Sequence, residues 1–98
     1  MQFGERIREL RESKELLQRQ LAASLEIDTP MFSKIERGER RAKREQVLLL
    51  AELLDTNVND LLTLWLADQV YDLVKDEEMA TQALKVAEEE VKYNAKSK

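Results

Sequence analysis

The sequence has no cysteine and no histidine, only two glycines, Gly4 and Gly38, and a single proline, Pro30. Without cysteine there is no disulfide framework, no thiolate zinc site and no cysteine nucleophile, and without histidine the commonest general base and metal ligand is missing. No glycine-rich phosphate loop is present, and no nucleophile stands beside a base. The expectation is therefore a protein that is not an enzyme and needs no metal or cofactor. No uncharged stretch reaches the roughly 18 residues of a membrane helix. Glu5, Arg6, Arg8 and Glu9 put charge where a secretory leader needs an apolar run. A soluble, cytoplasmic chain with no membrane partner is expected.

What is present favours helices. The 98 residues suit one compact domain with an appended element. Leu, Glu, Ala, Lys, Arg and Gln dominate, and no strand pattern appears, so the fold class is all-α. Charge is unevenly spread. Residues 1–54 carry 11 basic and 10 acidic side chains, whereas residues 55–98 carry 5 and 10, and all eight arginines lie at or before Arg44. Arginine presents a planar fork suited to phosphate and base edges, so its confinement to one half points that half toward an anionic partner. Solvated helix faces with i, i+4 partners explain the same count equally well.

Apolar spacing places the helices. Phe3, Ile7 and Leu10 mark a first helix ending near Ser13 or Lys14, and Leu21, Ala22 and Leu25 a short second one. A third starts after Asp28, a capping residue, with Pro30 in its first turn; it turns Phe32 and Ile35 inward and stops at Gly38. A fourth spans about Arg44 to Leu54, with Val47, Leu50, Ala51 and Leu54 inward and Leu48, Leu49 and Leu53 in excess. A fifth begins near Asn57 and is apolar nearly all round, which calls for cover on several sides; a second copy of the chain is the expected cover. A sixth, about Asp76 to Tyr93, carries a weaker stripe able to wrap over the same surface, and Asn94 to Lys98 should fray.

From Gln18 to Arg37 the aliphatic and aromatic residues fall at Leu21, Leu25, Ile27, Phe32 and Ile35, with small Ala22 fifth in the run. Two short helices crossing steeply need a small residue at the crossing and apolar residues on both inner sides, which is the helix-turn-helix pattern. The outer side of the second helix is then free to enter a major groove. With the segments Gly4 to Arg11, Gln18 to Ala22, Ser33 to Gly38 and Val58 to Leu62 in order, the chain resembles the lambda-repressor-like, XRE-type family of DNA-binding regulators over about Phe3 to Leu62.

The resemblance implies a five-helix bundle over residues 1–62 and leaves 63–98 as a C-terminal helical extension for dimerisation. It implies base contacts from Thr29, Pro30, Ser33 and Lys34. Phosphate contacts are implied for Gln18 and for Arg40, Arg41, Lys43 and Arg44. Arg11 and Glu36 match a family pair that implies an internal salt bridge, and Leu21, Ala22, Phe32 and Ile35 fall to the core. Leu62, Trp65, Leu66, Val70 and Leu73 are the expected dimer interface.

Three residues depart from the family pattern. Glu26 stands where a turn glycine is usual, so either the turn tolerates a side chain or its geometry differs. Leu17 replaces the usual hydroxyl cap, and Ala42 a common proline. Thr29-Pro30-Met31 offers few donors, so specificity falls to Lys34, to thymine methyls or to DNA shape. The runs Asp76-Glu77-Glu78 and Glu88-Glu89-Glu90 read as solvated faces, because consecutive helical positions diverge. The expected function is a homodimeric, sequence-specific transcriptional regulator, a repressor or autoregulator, on a near-palindromic operator in double-stranded DNA. The alternative is an antitoxin or accessory protein whose C-terminal helices hold a toxin or other protein partner.

Overall fold

The computed structural model describes residues 1–97, and these form six α-helices with no strand among them. They are α1 (Gln2–Ser13), α2 (Gln18–Ser24), α3 (Thr29–Glu36), α4 (Arg44–Leu53), α5 (Val58–Val74) and α6 (Ala80–Ser97). The first five enclose one core of Phe3, Ile7, Leu21, Ala22, Leu25, Phe32, Ile35, Ala42, Val47, Leu50, Ala51, Leu54 and Leu61. These are the stripes that the apolar spacing picks out, with Ala42 and Leu61 added from outside them. The fold is thus an all-α helix-turn-helix bundle.

Local chemistry sets the helix starts. Asp28 accepts from the Met31 N–H at 2.8 Å, and Asn57 from the Asp60 N–H at 3.1 Å. Leu17 and Lys43 have no accepting side chain to offer. Instead Gln20 and Gln46, three residues on, reach back to accept the Leu17 and Lys43 N–H groups at 2.7 and 2.8 Å. That is one half of a capping box, and it answers the missing hydroxyl at Leu17. The start of α1 is capped from distant sequence: Asp68 on α5 accepts from the Gln2 and Phe3 N–H groups at 3.1 and 2.9 Å. A carboxylate at a helix N-terminus also meets the positive end of the helix dipole.

Helices α1 to α4 share one way of stopping. Glu15, Glu26, Gly38 and Asp55 follow them with φ of 56°, 59°, 76° and 51°. The next N–H in each case returns to the helix, Leu16 to Arg11 O, Ile27 to Ala22 O, Glu39 to Lys34 O and Thr56 to Ala51 O, at 2.9 to 3.0 Å. This is the Schellman arrangement, normally built on glycine. Only α3 uses glycine here; a Cβ on Gly38 would lie 2.6 Å from Met1 Cγ. Glu26 therefore keeps the expected turn geometry while bearing a side chain. Gly4 serves a different need. A Cβ there would run into the Glu36 carbonyl oxygen and lie 2.7 Å from that of Ile35, so α1 crosses the end of α3 nearly backbone to backbone.

Within the described residues α5 is covered on one side only: Leu61 is buried and Leu62, Leu64 and Trp65 are half-buried, whereas Leu66, Val70, Tyr71 and Leu73 are exposed. Beyond α5 the chain differs from expectation in three respects. α6 starts at Ala80, not Asp76, because the acidic run Asp76-Glu77-Glu78 occupies the turn between the two helices. Carboxylates are unfavourable at the carbonyl end of α5 and favourable just before α6. α6 also stays exposed along its length instead of wrapping over α5, and Asn94 to Ser97 continue it instead of fraying. Ala95 and Lys96 are good helix formers, and a lysine suits a helix C-terminus. Lys98, the last residue of the expected tail, lies outside the described residues.

Two substitutions check this geometry. Gly4→Ala should cost about 1–3 kcal/mol, because backbone must move to admit the methyl group; an unchanged urea midpoint would mean that α1 and α3 do not approach so closely. Glu26→Gly relieves a left-handed side-chain position that costs about 1–2 kcal/mol, less about 0.4–1 kcal/mol of added unfolded-chain entropy. A small rise in midpoint is expected, and a fall of 1 kcal/mol or more would contradict the positive φ.

Candidate nucleic-acid interface

Helix α3 is built with an inside and an outside. Phe32 and Ile35 are buried against α1 and α2, and Ala22 of α2 is buried where the two helices cross. The outer side bears Pro30 and Lys34, both exposed, with Thr29 and Ser33 half-buried beside them. Among the described residues the Lys34 ammonium has no ion-pair or hydrogen-bond partner. The Ser33 hydroxyl accepts from Arg37 Nη1 at 3.2 Å, and Arg37 also pairs through Nε with Glu39.

Beneath this face lies a buried charge network. Arg11 on α1 meets Glu36 on α3 through both ends of its guanidinium, Nε to Oε2 at 2.7 Å and Nη2 to Oε1 at 3.1 Å. Arg11 Nη1 donates to the Leu16 carbonyl at 2.9 Å. The side chains are only 12% and 3% exposed, so little water screens the pair. The hydrogen bond to Glu36 raises the Arg11 pKa above its ordinary value, although burial pulls the other way. The raised value means that the stabilisation linked to Arg11 ionisation is fully present below the ordinary arginine range and is lost only as pH rises through the raised value.

Gln18, expected at phosphate, is tied into this network. Its Nε2 donates to Glu36 Oε1 at 2.9 Å, leaving the amide oxygen as its outward group. Gln18, Ser33 and Arg37 share a depression of about 440 Å³ with Glu5, Arg8, Arg11 and Glu36, so the structure brings two of the expected contact residues together there.

The four cations after α3 lie elsewhere and are not equivalent. Arg40 and Arg41 line a separate crevice of about 220 Å³ with Ala42, Trp65, Asp68 and Asp72. Arg41 Nη2 lies 3.5 Å from Asp72 Oδ2. The Arg44 guanidinium sits 5.9 Å from the centre of the Trp65 ring, and the Trp65 indole N–H donates to the Ala42 carbonyl at 2.8 Å. Trp65 is therefore engaged with its own bundle, and Leu62 also packs against the core. Leu66, Val70 and Leu73 remain as the open apolar stripe. Arg40 and Lys43 are exposed, with no carboxylate partner among the described residues.

Sequence reasoning passed over Arg19 and Arg37. Arg19 stands exposed next to Gln18 in the first turn of α2, and Arg37 caps the end of α3. The crowding of arginine before residue 45 was the available signal, but no spacing distinguished these two from solvated surface.

Glu36→Gln should destabilise the bundle by about 3 kcal/mol, since removing one charge leaves a buried guanidinium without its counter-charge. Chemical denaturation measures this. A loss below 1 kcal/mol would show that the pair is solvated and does not fasten α1 to α3.

A sequence model described as a helix-turn-helix domain matches residues 2–64, almost two thirds of the chain, from α1 into the first turns of α5. Neither the curated proteins nor the solved structures gave a significant match. No helix among the described residues is long and apolar enough to cross a membrane. The domain match is consistent with the lambda-repressor-like, XRE-type resemblance, and the chain belongs to the helix-turn-helix domain family, a DNA-binding fold of transcription regulators.

Proposed function

We propose that the protein is a sequence-specific transcriptional regulator, a repressor or autoregulator, that binds a near-palindromic operator as a homodimer. The observation that carries this reading is the outer side of α3, where Pro30 and Lys34 are exposed over a buried Phe32 and Ile35. Lys34 donates to guanine O6 or N7, and Thr29 and Pro30 lie against bases, Thr29 with its methyl group toward a thymine methyl. Ser33, held by Arg37, adds a hydroxyl at the rim. Gln18, Arg40, Lys43 and Arg44 take phosphate, which sets register and carries no sequence information. Arg41, paired with Asp72, is held out of this set.

The second copy in this reading covers the stripe of Leu66, Val70 and Leu73, with Leu62 and Trp65 at its inner border. Two α3 helices then reach successive major grooves about 34 Å apart. A second reading, in which residues 63–98 hold a toxin or other protein, draws support from α6. That helix exposes Leu84, Val86 and Val91. Most helical stability in proteins comes from packing an amphipathic face, so cover from a partner would stabilise α6. Selection of bound duplexes from a random pool at about 0.1 M salt, with sedimentation of the purified chain, separates the two. A two-fold-symmetric consensus and a stable dimer support the first reading; a monomer that selects no sequence sinks it.

Two substitutions test the contacts. Lys34→Ala should lose about 1–3 kcal/mol of affinity at one base position only, and a uniform loss across sequences would reassign it to phosphate. Arg40→Ala should weaken binding to all duplexes alike and make the salt dependence shallower by about one unit. An unchanged slope removes Arg40 from the interface.

A further inference from the structure

Of the four cations at residues 40, 41, 43 and 44, Arg41 alone has a carboxylate partner among the described residues. Asp72 sits two turns from the end of the packed part of α5 and points one oxygen at Arg41 Nη2, 3.5 Å away, and the other at Lys75 Nζ, 3.7 Å away. Both members of the Arg41–Asp72 pair are solvent-accessible, at 54% and 37% of their side chains, so Arg41 is free to turn to another anion once the carboxylate charge is removed. A DNA phosphate is such an anion, and it binds arginine through the same planar fork. Arg41 and Asp72 also line one shallow depression with Leu66, Gln69, Val70 and Leu73. The carboxylate thus lies at the junction of the basic segment and the apolar stripe.

We propose that Asp72 is a positioning residue for the DNA interface: by holding Arg41 against α5 it sets the number of cations that the segment from Arg40 to Arg44 offers to phosphate. The inference rests on the DNA-binding reading above and goes beyond it. With Asp72 intact, Arg41 stays on α5 and contributes little to counterion release. With Asp72 neutralised, Arg41 swings free and adds one phosphate contact. Lys75, freed by the same change, stands at the C-cap of α5 and is the competing source of any added charge.

The test is the salt dependence of binding to a short mixed-sequence duplex, measured by fluorescence anisotropy with the full chain. Each added phosphate contact steepens the slope by about 0.9, equivalent to about a 3.5-fold greater loss of affinity between about 50 and 200 mM salt. Asp72→Asn should show that steepening, and Asp72→Glu, which keeps the charge, should match the unmodified protein. Arg41→Ala alone should leave the slope nearly unchanged, and Arg41→Ala in the Asp72→Asn background should abolish the gain. Asp60→Asn removes the same charge from the same helix, about 18 Å away along its axis, and should not reproduce the effect.

An unchanged slope in Asp72→Asn overturns the inference. So does a gain that survives Arg41→Ala, which would assign it to Lys75 or to net charge, and so does an equal gain from Asp60→Asn. If the unmodified protein binds no duplex at any salt concentration, the DNA-binding reading itself falls, and this inference with it. Thermal unfolding of each variant accompanies the measurement, since an Asp72 that only braced the fold would lower the melting temperature without altering the slope.

Discussion

The bundle depends on one buried ion pair. Arg11 and Glu36 come from α1 and α3, and Gln18 of α2 donates to the same carboxylate, so the three helices that carry and support the outer face of α3 meet at one side chain. Hydrophobic packing alone would allow these short helices to slide by a fraction of a turn, because apolar contact is non-directional. A two-point guanidinium–carboxylate contact, with the third nitrogen on the Leu16 carbonyl, admits only one relative placement. Gly4 acts in the same sense, since the crossing it permits brings α1 close enough to α3 for the Arg11 fork to reach Glu36. Register at the outer face is therefore set from underneath, by a charge pair buried beneath it.

Most of this architecture was legible in the sequence. The stripes Phe3/Ile7, Leu21/Ala22, Phe32/Ile35 and Val47/Leu50/Ala51 are short, regular and face the core, because period and burial report the same thing when a helix has one wet side. The Asp28 and Asn57 caps follow from residue type alone. The remaining helix boundaries depended on chemistry with no strong residue signature: glutamines that reach back three residues, and left-handed stops bearing glutamate or aspartate where glycine is usual. A stop at Glu26 looks in the sequence like a continued helix or a misfit turn, yet its backbone hydrogen bonds are those of the glycine stop at Gly38.

The candidate site was legible only in part, for a related reason. Residue type and spacing indicate which side chains project outward, and Lys34 and Pro30 do so. They do not indicate which outward cations already have partners. Arg41 and Arg44 belong to the same basic run as Arg40 and Lys43, but Asp72 and Trp65, roughly 20 to 30 residues later in the chain, engage the first two and not the others. Trp65 was also expected at an interface with another copy, because α5 is apolar nearly all round. Its indole N–H donates to the Ala42 carbonyl, so part of the ring is engaged by its own bundle.

The long reach of Asp68 makes the start of α1 depend on the middle of α5. A fragment trimmed to residues 1–62, where the resemblance would place the boundary, retains every apolar stripe of the bundle but leaves the first amide groups of α1 without their acceptor. The middle of α5 is thus part of the DNA-reading module in the mechanical sense. Anything that bends or melts α5 between Leu62 and Asp68 will be felt first at the opposite terminus, as fraying of the helix that carries Gly4 and Arg11.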